Sequence, residues 1–367
     1  MNTHKRLPRL TGVIALVVGL VAFTPTLPAM ADAPTATASA STTAVRAPIS
    51  PELLAQPLAN GKTQATQSKL DKMGGDPRVT AYWTPERMKN AIPLDTPEAD
   101  ATVQRELKKL ETPEPSSPLT TLSEPVAAQR KTATPQDAPP VTNFSVTNGK
   151  VFFHNQTNGL DYICSGSSVN SGSKRLVITA GHCVYRAPGN AWHTNWQFVP
   201  GYNSGSRPRG TFQAYTMRTY NDWIDYGESG RGFNSDVAFV TTYTNASGQR
   251  VVDAVGGHGT QYGGSRVFDV DIFGYPGNLN GGEVMWACWG TTGTRWIGLY
   301  EFSSIDGCNF GGGSSGGPWL ASYSNSTGLG YVHTITSNGP TDSTAYINGP
   351  YFDSRFPDLY AAANNDW

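Results

Sequence analysis

From about Val141 onward, short runs of β-branched and aromatic residues alternate with turns rich in Gly, Asn and Ser. The runs include Lys150–Phe153, Arg175–Thr179, Asp236–Tyr243, Arg266–Phe273 and Gly330–Thr336. Runs of this length bounded by turn residues read as strands, and their spacing predicts an all-β sandwich or barrel. The last apolar-patterned segment, Phe356–Ala363, predicts a short C-terminal helix. No internal repeat recurs at a fixed period. The roughly 227 residues from Val141 to the end suffice for a substantial core.

The N-terminal pattern is different. Lys5, Arg6 and Arg9 precede an uncharged apolar run from Gly12 to Phe23, and Ala29-Met30-Ala31 puts small residues where a signal peptidase cuts. The run falls short of the ~20 residues a spanning helix needs. Residues 1–31 therefore read as an export signal cleaved after Ala31, and no later stretch is apolar enough to span a bilayer. Residues 32–140 are rich in Ala, Thr, Pro, Ser and Gln and read as a propeptide. A flexible spacer is the alternative. Within them, Ala33–Ser50 and Thr112–Pro140 are punctuated by proline and are expected to lack a core. Pro97–Leu110, capped by Thr96, predicts a short helix, and Thr84-Pro85-Glu86 looks like a second capped helix start. Arg130-Lys131 is a basic pair where processing could occur.

Composition narrows the field without naming a function. Only 15% of residues are charged and the net charge is −1, against roughly 25% charged in an ordinary soluble domain. That balance offers no electrostatic footprint for nucleic acid and no polybasic patch for an anionic membrane. The four cysteines all lie beyond Val141. They are an even number in a chain that reads as exported, where disulfides persist.

Three segments carry candidate chemistry. Ile178–Cys183 ends a strand in a small-residue turn presenting His182. Asn234–Val240 opens an apolar run with Asp236, whose carboxylate would sit at the edge of a buried strand. Gly311–Pro318 places Ser315 in a glycine-dense loop before Trp319 and Leu320. A serine hydroxyl becomes a nucleophile when a neighbouring base takes its proton. Histidine suits that task because its ordinary pKa lies near neutrality, and a buried carboxylate fixes its tautomer. Glycines let two backbone N–H groups approach a developing oxyanion. Each residue alone has a plainer reading: a satisfied buried histidine, a turn aspartate, a serine in a flexible loop. A phosphate-binding loop would require a lysine and a helix after the glycines, whereas Pro318-Trp319 follow.

Together the segments resemble the trypsin/chymotrypsin-like serine peptidases. Thr179–Cys183 is similar to their histidine motif, Ser314–Pro318 to their nucleophile motif in all but one position, and Asp236-Val237-Ala238 to their aspartate motif. The order His, Asp, Ser, with separations of 54 and 79 residues, is that of this family and not of subtilisin-like or α/β-hydrolase enzymes. The resemblance covers about Val151 to Tyr360. Phe198–Asn203 and the long propeptide are closest to the secreted bacterial branch that includes the glutamyl endopeptidases.

The resemblance implies two antiparallel six-stranded β-barrels with the active site between them, and a serine endopeptidase domain over residues 141–367. Ser315 would be the nucleophile, His182 the general base and acid, and Asp236 its orienting carboxylate. The N–H groups of Gly313 and Ser315 would form the oxyanion hole. Cys164 would pair with Cys183 and Cys288 with Cys308. These spacings lack the C-x-x-C pairs of a metal site, so no metal or other cofactor is expected. Each bridge would close about 20 residues, worth about 3 kcal/mol in the chain-entropy account. Substrates would be proteins or peptides, and the propeptide an intramolecular inhibitor or folding aid. The working form would be a secreted monomer without nucleic-acid or membrane partners. The competing readings are an inactive trypsin-like fold kept as a secreted binding module, and a wall-associated protein with a proline-rich stalk.

The chain departs from the family in two places. Ser314 stands where animal trypsins carry the aspartate that pairs with a freed N-terminal amine, so activation by N-terminal insertion is not expected. Lys150-Val151 only faintly resembles such a terminus and reads as the first strand. In the specificity pocket, Asn309 stands six residues before Ser315 in place of an acidic base, which argues against Arg or Lys preference. Thr336-Ser337-Asn338-Gly339 resembles the pocket wall that pairs with substrate. Glutamyl-specific relatives use a histidine there, but His333 is three residues from that slot, an offset that reverses the face of a strand.

Overall fold

A computed structural model describes residues 41–58, 65–94, 116–129, 144–187, 191–340 and 344–367. The expected export signal, the expected helix over 97–110 and the basic pair Arg130-Lys131 lie outside these residues.

The N-terminal segment is folded against the rest. It carries strand β1 (Thr42–Arg46), helices α1 (Pro51–Leu54), α2 (Gln67–Lys72), α3 (Pro77–Tyr82) and α4 (Pro85–Asn90), and the short strands β2 (Ile92–Pro93) and β3 (Thr120–Ser123). Thr84 caps α4 as expected, its hydroxyl accepting from the Arg87 N–H at 3.2 Å. The expectation that Ala33–Ser50 and Thr112–Pro140 stay outside any packed structure is corrected in part by β1 and β3. Both pair with strands far away in sequence, so main-chain hydrogen bonds supply what their side chains do not advertise.

The first barrel closes on six strands: β4 (Asn148–Asn155), β5 (Leu160–Ser168), β6 (Leu176–Thr179), β9 (Thr194–Pro200), β10 (Phe212–Tyr220) and β11 (Ala238–Thr242). The hairpin strands β7 (Tyr185–Arg186) and β8 (Ala191–Trp192) lie apart from it. Pairing runs β10-β11-β6-β5-β4-β9 and returns to β10. Along β4, Val151 and Phe153 fill the barrel while Phe152 points outward. The outward face is not wet. Phe152, Ile163, Val199 and Tyr202 join Leu53, Val79, Trp83, Met88 and Ala91 of the N-terminal segment in one buried cluster. Unbroken apolar runs such as Val151–Phe153 are what a strand covered on both sides requires.

The second half holds β12 (Gly259–Tyr262), β13 (Asp269–Gly274), β14 (Trp286–Thr291), β15 (Gly293–Ile297), β16 (Tyr300–Asp306), β17 (Pro318–Ser324), β18 (Leu329–Ile335) and β19 (Tyr346–Gly349). They form a six-stranded sheet, β14-β13-β17-β18-β12-β3, and a three-stranded one, β15-β16-β19. Val270, Ile272, Ile305, Phe310, Trp319 and Ile347 pack between the two sheets. The all-β, two-barrel architecture is thus present, with one strand of the second unit drawn from the N-terminal segment and one parallel pair, β12–β18. The C-terminal helix spans Phe356–Asn364 and buries Phe356, Leu359 and Ala363, positions i, i+3 and i+7 of one face. Both expected disulfides, Cys164–Cys183 and Cys288–Cys308, are formed.

Candidate active site

His182 sits in a single 3-10 turn, Gly181–Cys183, that follows β6. Asp236 closes another turn just before β11, which pairs with β6. Two residues 54 apart in sequence therefore meet because their strands are neighbours. The His182 Nδ1 lies 2.8 Å from the Asp236 Oδ2, and the His182 main-chain N–H donates to the Asp236 Oδ1 at 2.8 Å. With that carboxylate against Nδ1, the neutral ring carries its proton there and leaves Nε2 free to accept one. Gly181 is required by crowding: a Cβ there would lie 2.9 Å from the Trp223 ring and 3.0 Å from the Asp236 Oδ1.

The remaining support for this pair comes from residues that spacing alone did not single out. The Ser337 hydroxyl donates to the Asp236 Oδ2 at 2.6 Å, so Ser337, expected as a pocket wall, also braces the carboxylate. His193 lies 3.0 Å through its Nε2 from the His182 carbonyl and stacks on Phe153 with ring centroids 4.2 Å apart. Burial pushes its imidazole down to about 3, so His193 is neutral and donates Nε2–H to that carbonyl.

Ser315 lies in the loop between β16 and β17. The Ser315 carbonyl accepts from the Ser165 N–H at 2.7 Å, and the Ser165 hydroxyl donates to the Gly313 carbonyl at 2.9 Å. The Cys164–Cys183 bridge ties the strand holding Ser165 to the turn holding His182. Gly316 has φ +80°, and a Cβ there would lie 2.4 Å from the Ser165 carbonyl oxygen, so only glycine fits. The Ser314 hydroxyl donates to the Gly311 carbonyl at 2.7 Å, which closes the turn without an ion pair. Ser315 is fully buried, and neither its Oγ nor the His182 Nε2 has a hydrogen-bond partner among the described residues. The Gly313 N–H is engaged: it donates to the Leu94 carbonyl at 2.7 Å.

The expected pocket residues separate into two groups. Thr336, Ser337, Asn338 and Gly339 are buried beside the site, with Asn338 and Asn348 joined through their side chains at 2.8 Å. The Thr336 hydroxyl accepts from the Trp319 indole N–H at 2.9 Å. Asn309 is exposed, with φ +54°, and its carbonyl accepts from the Asn278 side chain at 2.9 Å. It does not join the buried group. His333 instead bonds Gln261 at 2.9 Å and the Ser265 carbonyl at 3.3 Å. Lys150 is buried in β4 and paired with Glu283 at 2.9 Å, so Lys150-Val151 lies within the strand as expected. The Cys164 and Cys183 sulfurs lie near the His182 ring, but their bond to each other leaves no thiolate for a metal.

No protein-family model and no curated protein matches this sequence. Solved structures do. Protease Anisep from Arthrobacter nicotinovorans is 34% identical, with a TM-score of 0.54, over 60% of this chain and 97% of its own. The thermostable serine protease AL20, from an extremophilic microorganism, is 27% identical, with a TM-score of 0.52, over 62% of this chain and 100% of its own. Identity at that level across nearly the whole of Anisep, on a fold that brings His182, Asp236 and the Ser315 loop to one place, shows that the chain belongs to the trypsin/chymotrypsin-like serine peptidases.

Proposed function

We propose that the protein is a secreted serine endopeptidase made as a pre-pro-protein. Residues 1–31 are the export signal, 32–140 the propeptide and 141–367 the catalytic region. The alignment of whole relatives to about three-fifths of this chain supports that division. The observation that carries the catalytic reading is the 2.8 Å contact between the His182 Nδ1 and a buried Asp236 carboxylate, with the Ser315 carbonyl 3.7 Å from the sulfur of Cys183, the residue after His182.

In this reading the Ser315 Oγ gives its proton to the His182 Nε2 as it attacks the scissile carbonyl. The oxyanion that forms is met by the N–H groups of Gly313 and Ser315. The imidazolium, held by Asp236, passes its proton to the leaving amine, and an acyl group remains on Ser315. Water, deprotonated by the same imidazole, then releases the acid and restores the serine. Ser314 cannot form an ion pair with a new N-terminus, and its hydroxyl is already satisfied within the loop, which supports activation without N-terminal insertion. The substrates are proteins or peptides. The near-neutral composition offers no electrostatic footprint for nucleic acid or an anionic membrane, and the working form in this reading is a monomer without a cofactor.

Acylation by a fluorophosphonate tests this. The processed enzyme is expected to be labelled at Ser315 and to hydrolyse casein, with both lost in Ser315→Ala while secretion persists. A processed protein that stays unlabelled instead describes an inactive binding module.

A further inference from the structure

After α4, the N-terminal segment runs into the active-site cleft. Ile92 and Pro93 pair in parallel with Tyr162 and Ile163 of β5. The next residue, Leu94, bridges two walls: its N–H donates to the Ile163 carbonyl at 3.1 Å, and its carbonyl accepts from the Gly313 N–H at 2.7 Å. Pro93 fills the space that two glycines leave open. A Cβ at Gly277 would lie 2.2 Å from the Pro93 Cγ, and one at Gly313 would lie 3.3 Å from its Cβ.

We propose that Ile92–Leu94 is a built-in plug that keeps the uncut chain latent by occupying the Gly313 oxyanion donor. This rests on the reading of Ser315 as nucleophile. One N–H cannot serve the Leu94 carbonyl and the oxyanion of a substrate together, and attack without that donor loses much of its stabilisation. The plug is firmly anchored. Trp83, Met88 and Ala91, just ahead of it, are buried with Phe152, Ile163 and Tyr275 of the catalytic region. The Trp83 indole N–H donates to the Asn195 carbonyl at 2.6 Å, and Arg207 donates to the Trp83 carbonyl at 3.0 Å. Ser315 is fully buried while this segment is in place.

Fluorophosphonate labelling of the full chain, with uncut and cut forms resolved by mass on one gel, tests the plug. The uncut wild-type chain is expected to label about 100-fold more slowly than the cut chain, the scale of losing one oxyanion donor. Two uncut variants are expected to approach the cut rate: Pro93→Trp, whose indole does not fit against Gly277, and the double variant Ile92→Gly with Leu94→Gly. Urea unfolding identifies variants that are folded. Hydrogen exchange needs no variant: a peptide containing Gly313 should exchange faster in the cut chain than in the uncut one. Equal labelling of uncut and cut wild type, slow labelling of folded plug variants, or equal exchange at Gly313 overturns the plug alone. A cut chain that never labels overturns the peptidase reading itself, and the plug's purpose with it.

Discussion

Ser165 serves the nucleophile loop through both its N–H and its hydroxyl. Its N–H donates to the Ser315 carbonyl, and its hydroxyl donates to Gly313 while accepting from the Tyr275 N–H at 2.8 Å. Ser165→Ala leaves the Gly313 carbonyl and the Tyr275 N–H without that partner in the interior, at a cost of about 1–3 kcal/mol. It also loosens the peptide that aims the oxyanion donor. The expected result is a lower unfolding midpoint and a fall in kcat larger than the change in KM, measured on the processed enzyme. Ser337→Ala removes a hydrogen bond to a charged group, worth about 1.5–3 kcal/mol, and lets the Asp236 carboxylate turn. Its expected signature is reduced kcat in a protein that is less stable but keeps the native fluorescence spectrum. The meeting of His182, Asp236 and the Ser315 loop was legible in the sequence because glycine, proline and the residues flanking each motif are constrained locally. Ser165 and Ser337 were not legible as supports. Ser337 meets Asp236 across 101 residues, and nothing in a strand's own pattern says which distant carboxylate its hydroxyl will face. Asn309 is the converse case: counting along the chain put it at the pocket base, but its left-handed backbone turns it to the surface.

At the scale of elements, the N-terminal segment decides which faces of the first barrel are dry. Trp83 is 1% exposed and packs on Phe152 with ring centroids 5.5 Å apart. Trp83→Ala should cost about 3–5 kcal/mol, taken from the docking of the segment and not from the barrel interior. Limited proteolysis of the full chain should then cut within residues 41–94 sooner than in wild type, while the catalytic region resists as before. Asp71 supplies a second anchor, gripping Arg175 through two bonds of 2.9 and 3.0 Å. The helix starting at Pro85 could be read from its Thr-Pro-Glu cap. Strand β1 could not, because Thr42–Arg46 has little apolar content and gains its place by edge pairing with β10, where Thr42 meets Tyr220. A main-chain partner almost 180 residues away leaves no trace in local periodicity. The same limit hid β3, whose register is set by β12.

The molecule as a whole carries an acid sensitivity built from its buried histidines. Burial holds His193 and His258 down to about 3 and His333 down to about 4. Each is neutral when folded because burial disfavours its charged form. The His258 Nε2 lies 2.9 Å from the Asn148 Oδ1, and its Nδ1 accepts from the Gly330 N–H at 3.3 Å. Unfolding returns each ring to its ordinary value near 6.5. Above pH 6.5 both states are neutral and the stability is fully present. Below it the unfolded chain binds protons that the folded chain refuses, so stability falls until pH reaches the folded values of about 4 and 3. One such proton is worth about 1.4 kcal/mol per pH unit, and three together about 4 kcal/mol per unit. Glu228 and Asp271, whose carboxyls burial raises, act in the opposite sense, and the solvent both can still reach reduces their share. Urea unfolding at intervals from pH 7.5 to 4.5 should therefore show a steep loss of stability beginning near pH 6.5. His258→Gln keeps a donor for Asn148 and cannot be protonated, so it should lower stability at pH 7.5 but flatten the acid slope by about one proton. A slope unchanged by that variant would assign the acid loss to groups other than His258.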